Sequence, residues 1–189
     1  MGNRDALLSA AHSCVVTKGF NHTSARDVTA EAGVSLAAIG YHFGSTEALL
    51  TEAVLRGIGD WAQDLGHLLT DDPAPAGETP RERFTRVWAA VLASFEDHRK
   101  ILAASYAVMA RADDLPDVRR RLSEGIDTAR RTLATLLAGI DPATDPERTR
   151  QVGSLYYAIL GGLLTQWLVD PDSTPSATDL TAALTHLRV

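Results

Sequence analysis

Apolar residues recur at helical spacing along almost the whole chain, and no stretch alternates apolar and polar positions over more than a few residues. Leu7, Ala11, Cys14 and Val15 form one such stripe, which ends before Gly19. Because a spacing of three and four residues places side chains on one face of an α-helix, this pattern predicts an all-α protein. We expect about nine helices and no sheet.

Three short helices precede a long one in the N-terminal part of the chain. The second is predicted over about 24–32, with Thr23 or Ser24 as its cap, and the third over about 35–42, with Ser35 as its cap. A fourth helix, which Ser45 opens, is predicted over 46–69. Two short helices joined by a tight turn at Gly33 are the sequence form of a helix-turn-helix.

Residues 71–80, with three prolines and one glycine, are the strongest break in the pattern. Beyond the break, the stripe that begins at Phe84 keeps helical spacing as far as Phe95. Further helices are predicted over about 98–112, 116–139, 146–169 and 176–188.

The segment 155–169 is apolar around the whole helix axis, although it is too short to favour a membrane span of about 20 residues. A helix of this kind must be covered on all sides. We therefore predict that a second copy of the chain covers one side, with the last helix as a second strip of the contact; the alternative is that the chain buries this helix alone. The predicted dimer-interface residues are Leu155, Ile159, Gly162, Leu163, Gln166, Trp167, Leu180, Leu184 and Leu187.

The predicted third helix would present small, uncharged side chains on its outer face. Ile39 and Phe43 are four residues apart and are expected to point inward. Methyl groups on the outer face could contact thymine methyls in a major groove, while Tyr41 and His42 could donate to phosphates.

The segment 23–50 resembles the DNA-binding region of the TetR family of repressors. The resemblance rests on Thr-Ser before the second helix, Ala-Gly-Val-Ser at the turn, Ile-Gly-Tyr-His-Phe at the end of the third helix and Glu-Ala-Leu-Leu in the fourth. It covers roughly residues 4–55. The remainder agrees with that family in being predicted helical and of suitable length.

The resemblance implies an all-α homodimer with an N-terminal helix-turn-helix domain over 1–45 and a ligand-binding and dimerisation domain over 46–189. Its function would be that of a ligand-responsive repressor that binds a pseudo-palindromic double-stranded DNA operator. The implied DNA-contacting residues are Ser24, Arg26, Ser35, Leu36, Ala37, Ala38, Gly40, Tyr41, His42 and Thr46. Thr46 departs from the family, which usually has a lysine at this position.

The effector implied by the resemblance is an unidentified small molecule, apolar or aromatic in character. Pockets for such molecules are mostly apolar with a few polar groups. Aromatic and methionine side chains that could line the pocket, or belong to the core instead, are Trp61, Phe84, Trp88, Tyr106, Met109, Tyr156 and Tyr157.

The net charge of −6 changes the expected mode of DNA binding. Residues 1–50 contain three cationic and four acidic side chains, so no basic patch is present in the sequence of the head. Few phosphates would be neutralised, and the affinity for DNA should therefore depend less on salt than it does for a lysine-rich repressor.

The sequence offers little support for an enzyme, a metal-binding protein or a membrane protein. The histidines and the single Cys14 show no ligand spacing, so we expect no metal, no cofactor and no catalytic site. The N-terminus lacks a signal pattern, and we expect a cytoplasmic protein without membrane attachment. The alternative function is a helical module that binds a small molecule or a protein, in which the helix-turn-helix serves only for packing.

Overall fold

The computed structural model describes residues 2–71 and 75–187 of the chain, and within them it contains nine α-helices and no β-strand. The all-α prediction is confirmed. Part of the predicted break at 71–80, residues 72–74, lies outside the described residues. The helices are α1 (Asn3–Lys18), α2 (Ala25–Ala32), α3 (Ala37–Phe43), α4 (Thr46–Asp71), α5 (Pro80–Ala93), α6 (Arg99–Met109), α7 (Pro116–Ala138), α8 (Pro146–Val169) and α9 (Ala177–His186).

Local capping fixes where several helices begin. At α2, the Ser24 hydroxyl accepts from the Asp27 amide at 3.2 Å, and the Asp27 carboxylate accepts from the Ser24 amide at 2.8 Å. The same reciprocal capping box starts α5 and α9, at Thr79 and Ser176. Such a box satisfies two amide donors that the first turn of a helix leaves without intrahelical partners.

The chain divides into two compact units by its internal contacts. Unit 1 comprises Met1–Trp61 and His98–Leu122, and unit 2 comprises Ala62–Asp97 and Ser123–Val189. Helices α4 and α7 each begin in unit 1 and end in unit 2. The functional boundary predicted after residue 45 concerns roles rather than packing, and it stays a prediction.

The core of unit 1 joins α1 to α2, α3, α4 and α6. The predicted stripe of α1 is buried there, with Leu7 and Val15 fully covered. Side chains from α2, α4 and α6 complete the core, including Val28, Val54 and Val108. Burying side chains of this size is the main source of stability for so small a unit.

In unit 2, α5 buries Phe84, Val87, Trp88 and Val91 along the predicted stripe. Although α5 ends at Ala93, the stripe continues to Phe95, which is fully buried in the turn that follows.

Part of the predicted dimer strip on α8 lies within unit 2 instead. Leu163 and Trp167 are buried, and the Trp167 ring lies 5.4 Å from the ring of Phe95, centroid to centroid. These two side chains therefore pack inside the chain, and the expectation that they face a partner is corrected. The other seven predicted interface residues are exposed or half-buried.

Helix α8 is the one described helix that is long and apolar enough to span a membrane, and only 22% of its most apolar window is buried within the chain. Length and composition alone are weak support for a span, because core helices pass the same test. What the burial shows is that much apolar surface on α8 has no cover within the chain.

Candidate nucleic-acid interface

The helix-turn-helix predicted from the sequence is present as α2, a short turn and α3. Gly33 ends α2 in the left-handed conformation, with φ of 66°, which a glycine adopts without the strain that a side chain would add. The Val34 amide then donates to the Thr29 carbonyl at 3.2 Å and closes the turn. Helix α3 begins at Ala37, and Leu36 occupies the cap position without a side-chain hydrogen bond. The prediction that Ser35 caps α3 is therefore wrong, since the helix begins one position later than the sequence indicates and Ser35 lies before the cap position.

Helix α3 packs on unit 1 through one narrow face. Ile39 is 3% exposed, and Phe43 is half-buried against the same core. Ala38 is also half-buried against this core, whereas the sequence had placed it on the outer face. The methyl group of Ala38 therefore lies at the edge of the packed face, next to Ile39. The predicted outer residues Ser35, Leu36, Ala37, Gly40 and Tyr41 are exposed.

Tyr41 is the most exposed large apolar side chain of the protein among the described residues, at 85%. Its ring meets the half-buried His42 ring edge-on, with centroids 4.8 Å apart. An aromatic side chain left in solvent gains nothing for folding. This pair is therefore available to a partner at the C-terminal end of α3.

Arg4 contacts the same end of α3 and links it to α4. Its guanidinium carbon lies 5.1 Å from the centroid of the Phe43 ring, and its Nη2 donates to Glu52 Oε1 at 2.5 Å. The contact joins α1, α3 and α4. No local spacing in the sequence indicates this contact, because Arg4 and Glu52 are 48 positions apart.

The start of α2 contains the second group of predicted contact residues. Ser24 and Arg26 are both exposed, and Arg26 forms no ion pair within the described part of the chain. Lys18 Nζ donates to Asp27 Oδ1 at 2.5 Å, and the Ser24 hydroxyl donates to Asp27 Oδ2 at 2.6 Å. The hydrogen bonds from Lys18 and then Ser24 hold the pKa of Asp27 well below its usual range. Lys18 is therefore occupied, and Arg26 is the open cation of this region.

The start of α4 supplies the last predicted contact residue. The Ala48 amide donates to the Ser45 hydroxyl at 3.0 Å, which caps the helix as predicted. Thr46, the first residue of α4, is half-buried, and Glu47 is exposed beside it. Glu47 forms an ion pair with Arg111, which lies just after α6. The sequence did not reveal this pair either.

The seven residues suggested for a ligand pocket fall into both units. Unit 1 contains the buried Trp61 and the partly exposed Tyr106 and Met109. Phe84, Trp88, Tyr156 and Tyr157 belong to unit 2.

Three of these four side chains form a cluster in unit 2. The Phe84 ring lies 6.0 Å from that of Trp88 and 6.2 Å from that of Tyr156. Burial raises the pKa of the Tyr156 hydroxyl. The Trp88 side chain is fully buried, and its indole N–H has no hydrogen-bond acceptor in the described structure.

Metal ligation has no candidate in the described residues, which contain no group of three or more His, Cys, Asp or Glu side chains placed to hold an ion. Cys14 is buried in the unit 1 core, as predicted, with its Sγ 3.8 Å from Glu31 Oε2. Burial, followed by the charge of Glu31, raises the pKa of the thiol. A thiol held in its protonated form is a poor nucleophile.

Two family models match the chain. Residues 7–53 match the model for bacterial regulatory proteins of the TetR family. Residues 80–188, more than half of the chain, match the model for the C-terminal part of BetI-type transcriptional repressors.

Individual relatives agree with these models. The HTH-type transcriptional regulator BetI of Rhizobium meliloti is 30% identical over 97% of this chain and 85% of its own length. A transcriptional regulator structure from Pseudomonas aeruginosa superposes with a TM-score of 0.67 at 23% identity, covering 97% of this chain and 86% of that one. The multidrug binding protein EbrR, solved with proflavin, gives the same TM-score at 21% identity, with 98% and 99% covered.

The family matches agree with the structure of residues 24–47, where the helix-turn-helix predicted from the sequence is found. They support DNA-binding regulation over the alternative of a binding module whose helix-turn-helix only packs. The chain belongs to the TetR family of bacterial regulatory proteins, which are DNA-binding transcriptional regulators and not enzymes.

Proposed function

We propose that this protein is a ligand-responsive repressor that binds a pseudo-palindromic operator as a homodimer in the cytoplasm. The observation that carries the proposal is the exposed, uncharged outer face of α3, which ends in Tyr41 and His42. Recognition helices in dimers of this kind lie about 34–36 Å apart, so that they enter successive major grooves.

The outer face of α3 has the chemistry of a helix that lies deep in a groove. Ala37 and Gly40 leave room for a close approach, and the exposed Leu36 offers methyl groups to thymine. Tyr41 and His42 are placed to donate to phosphates at the end of the helix. Ser24, Arg26 and Thr46 would add backbone contacts from α2 and α4.

Apolar surface on α8 and α9 supports the homodimer. Leu155 is 61% exposed and Val169 is 82% exposed on α8, while Leu184 and Leu187 are exposed at the end of the chain. Four of the ten exposed large apolar side chains among the described residues thus lie on α8 or at the end of α9, and a set of this kind is typical of an interaction surface. We infer that α8 and α9 pack against the same helices of a second copy, with Leu163 and Trp167 beneath the contact rather than in it.

The aromatic cluster of unit 2 is the best-supported effector site. A buried donor without an acceptor costs about 1–3 kcal/mol, and the Trp88 indole N–H is such a donor. A bound molecule with a hydrogen-bond acceptor, placed beside Phe84 and Tyr156, would remove this cost. Because EbrR was solved with the planar aromatic dye proflavin, a flat aromatic effector is a reasonable first class to screen.

The switch follows from differential binding. An effector changes DNA affinity only if it binds the free dimer and the DNA-bound dimer with different affinities. We propose that α4, which begins directly after the helix-turn-helix domain and continues into unit 2, transmits this difference.

The DNA-binding surface is tested by alanine substitution at the end of α3. We expect Tyr41→Ala and His42→Ala each to weaken binding to a cognate duplex by at least tenfold in fluorescence anisotropy. His67→Ala, which removes an exposed histidine far along α4, serves as the matched control and should bind like the wild type. Unchanged affinity in both α3 variants would refute the proposed surface.

The ligand response is tested separately by titrating the protein–duplex complex with screened effectors. Release of DNA in parallel with quenching of Trp fluorescence is the expected result. An effector that binds free and DNA-bound protein equally well would contradict the switch.

A further inference from the structure

Glu47 places a negative charge where the proposed function needs DNA to approach. It is the second residue of α4 and follows Thr46, one of the residues proposed to contact the DNA backbone. A carboxylate in the first turn stabilises a helix through the helix dipole, which explains its presence there. The same carboxylate would repel a phosphate at this end of α4.

Arg111 supplies the opposing charge from a distant part of the sequence. It follows α6, in the turn that leads to α7, and its Nη1 pairs with Glu47 Oε1. The two side chains are 44% and 47% exposed. Exposed ion pairs add little to stability, so the fold alone gives little reason for this contact.

Two other carboxylates near the helix-turn-helix are also paired with a cation. Asp27 on α2 pairs with Lys18, and Glu52 on α4 pairs with Arg4. In all three cases, the cation comes from a different helix or turn than the carboxylate. Much of the acidic charge near the proposed surface is thereby neutralised before DNA arrives.

We propose that Arg111 is a positioning residue of the DNA-binding surface, which neutralises Glu47 so that a DNA phosphate can approach the start of α4. The inference rests on the proposed function, and it extends the DNA-binding surface beyond the helix-turn-helix to the turn after α6. Arg111 acts through Glu47 and not as a phosphate ligand.

The experiment compares Arg111→Ala, Glu47→Gln and the double variant with the wild type. A fluorescein-labelled duplex, selected in vitro on the wild-type protein, is titrated by anisotropy between 0.05 and 0.4 M salt. Arg119→Ala is the matched control, because Arg119 is an exposed arginine near the same turn that pairs with Asp113 instead. Circular dichroism and thermal unfolding establish that each variant is folded.

We expect Arg111→Ala to weaken binding about fivefold at 0.1 M salt, because a dimer then presents two unmasked carboxylates to DNA. The loss should shrink towards onefold as salt screens the repulsion. Glu47→Gln should restore binding in the double variant to within twofold of the wild type, and Arg119→Ala should have no effect.

Two results would overturn the inference while leaving the proposed function intact. The first is unchanged binding by Arg111→Ala. The second is a loss that persists in the Glu47→Gln background or at high salt, since Arg111 would then contact phosphate itself or act through structure. Failure of the wild type to select any duplex would instead refute the proposed function, and this inference with it.

Discussion

Gly153 is the position at which the structure makes its sharpest prediction about stability. A Cβ atom added to Gly153 on α8 would lie 2.7 Å from the carbonyl carbon and 3.0 Å from the Cα of Arg130 on α7, and closer still to the carbonyl oxygen. All three atoms belong to the backbone, so a change of side-chain rotamer cannot relieve the contact. Gly153→Ala therefore requires that α7 and α8 separate locally.

The size of the effect follows from two opposing terms. Carbon atoms prefer separations of about 3.5–4.0 Å, so the helices must move apart by roughly 1 Å, and overpacking of this kind costs typically about 1–3 kcal/mol. Alanine in a helix interior recovers about 1 kcal/mol relative to glycine. With a rigid backbone obstacle we take the upper end of the cost, which leaves a net loss of about 2 kcal/mol.

The measurement is thermal and urea unfolding at one fixed protein concentration, because the proposed dimer would make stability depend on concentration. A loss of about 2 kcal/mol lowers the Tm of a chain of this length by roughly 4–8 °C. Gly125→Ala on α7 is the matched control: its Cβ meets no neighbouring atom within 4 Å, so it should raise stability by up to about 1 kcal/mol. A Gly153→Ala protein as stable as the wild type would refute the close packing of α7 against α8.

Three further predictions concern charge and assembly. Lys18 and Ser24 lower the pKa of Asp27 below its unfolded value of about 3.9, so its contribution to stability is complete above about pH 5 and is lost as the pH falls. In Asp27→Asn, the free energy of unfolding, measured in urea from pH 6 to pH 2, should therefore fall less steeply with pH than in the wild type. The slope of log K against log salt for operator binding should lie well below ten, and a slope near ten in anisotropy titrations would contradict the scarcity of phosphate contacts. Leu184→Glu together with Leu187→Glu should shift the protein to a monomer in analytical ultracentrifugation, whereas a persistent dimer would exclude α9 from the interface.

Helix positions could be predicted well because their signals are local. The turn at Gly33 and the start of α4 after Ser45 each depend on residues within a few positions, and the structure confirms both. Of the two caps that the sequence offers for α2, Thr23 and Ser24, the structure has Ser24. The error at Ser35 has a similar scale. A serine before a helix resembles a cap, but α3 begins one residue later, after Leu36.

The partners of exposed and amphipathic side chains could not be predicted in the same way. Helix α8 is apolar on all sides, so periodicity offered no means to decide which side faces the chain's own core. The sequence therefore places Trp167 against the partner, whereas in the structure its ring packs against the ring of Phe95 in the same chain. Ion pairs such as Arg4 with Glu52 and Arg111 with Glu47 join distant positions, and no local spacing encodes them.

An acidic protein can bind DNA if the carboxylates near its DNA-binding surface are paired with cations. Residues 1–50 contain more carboxylates than cations, and they would repel DNA if these charges were unpaired. In the structure, Lys18 and Arg4 each pair with a carboxylate, while Arg26 is exposed on α2 and has no ion-pair partner among the described residues. On the proposed function, these two cations would mainly remove repulsion, and attraction would come from hydroxyl, imidazole and amide donors whose strength depends on geometry. Such a surface gains little from non-specific contacts, because uncharged donors bind only where the phosphates lie at the correct positions. If the proposed surface is correct, the repressor should bind random DNA weakly and still discriminate in favour of its operator.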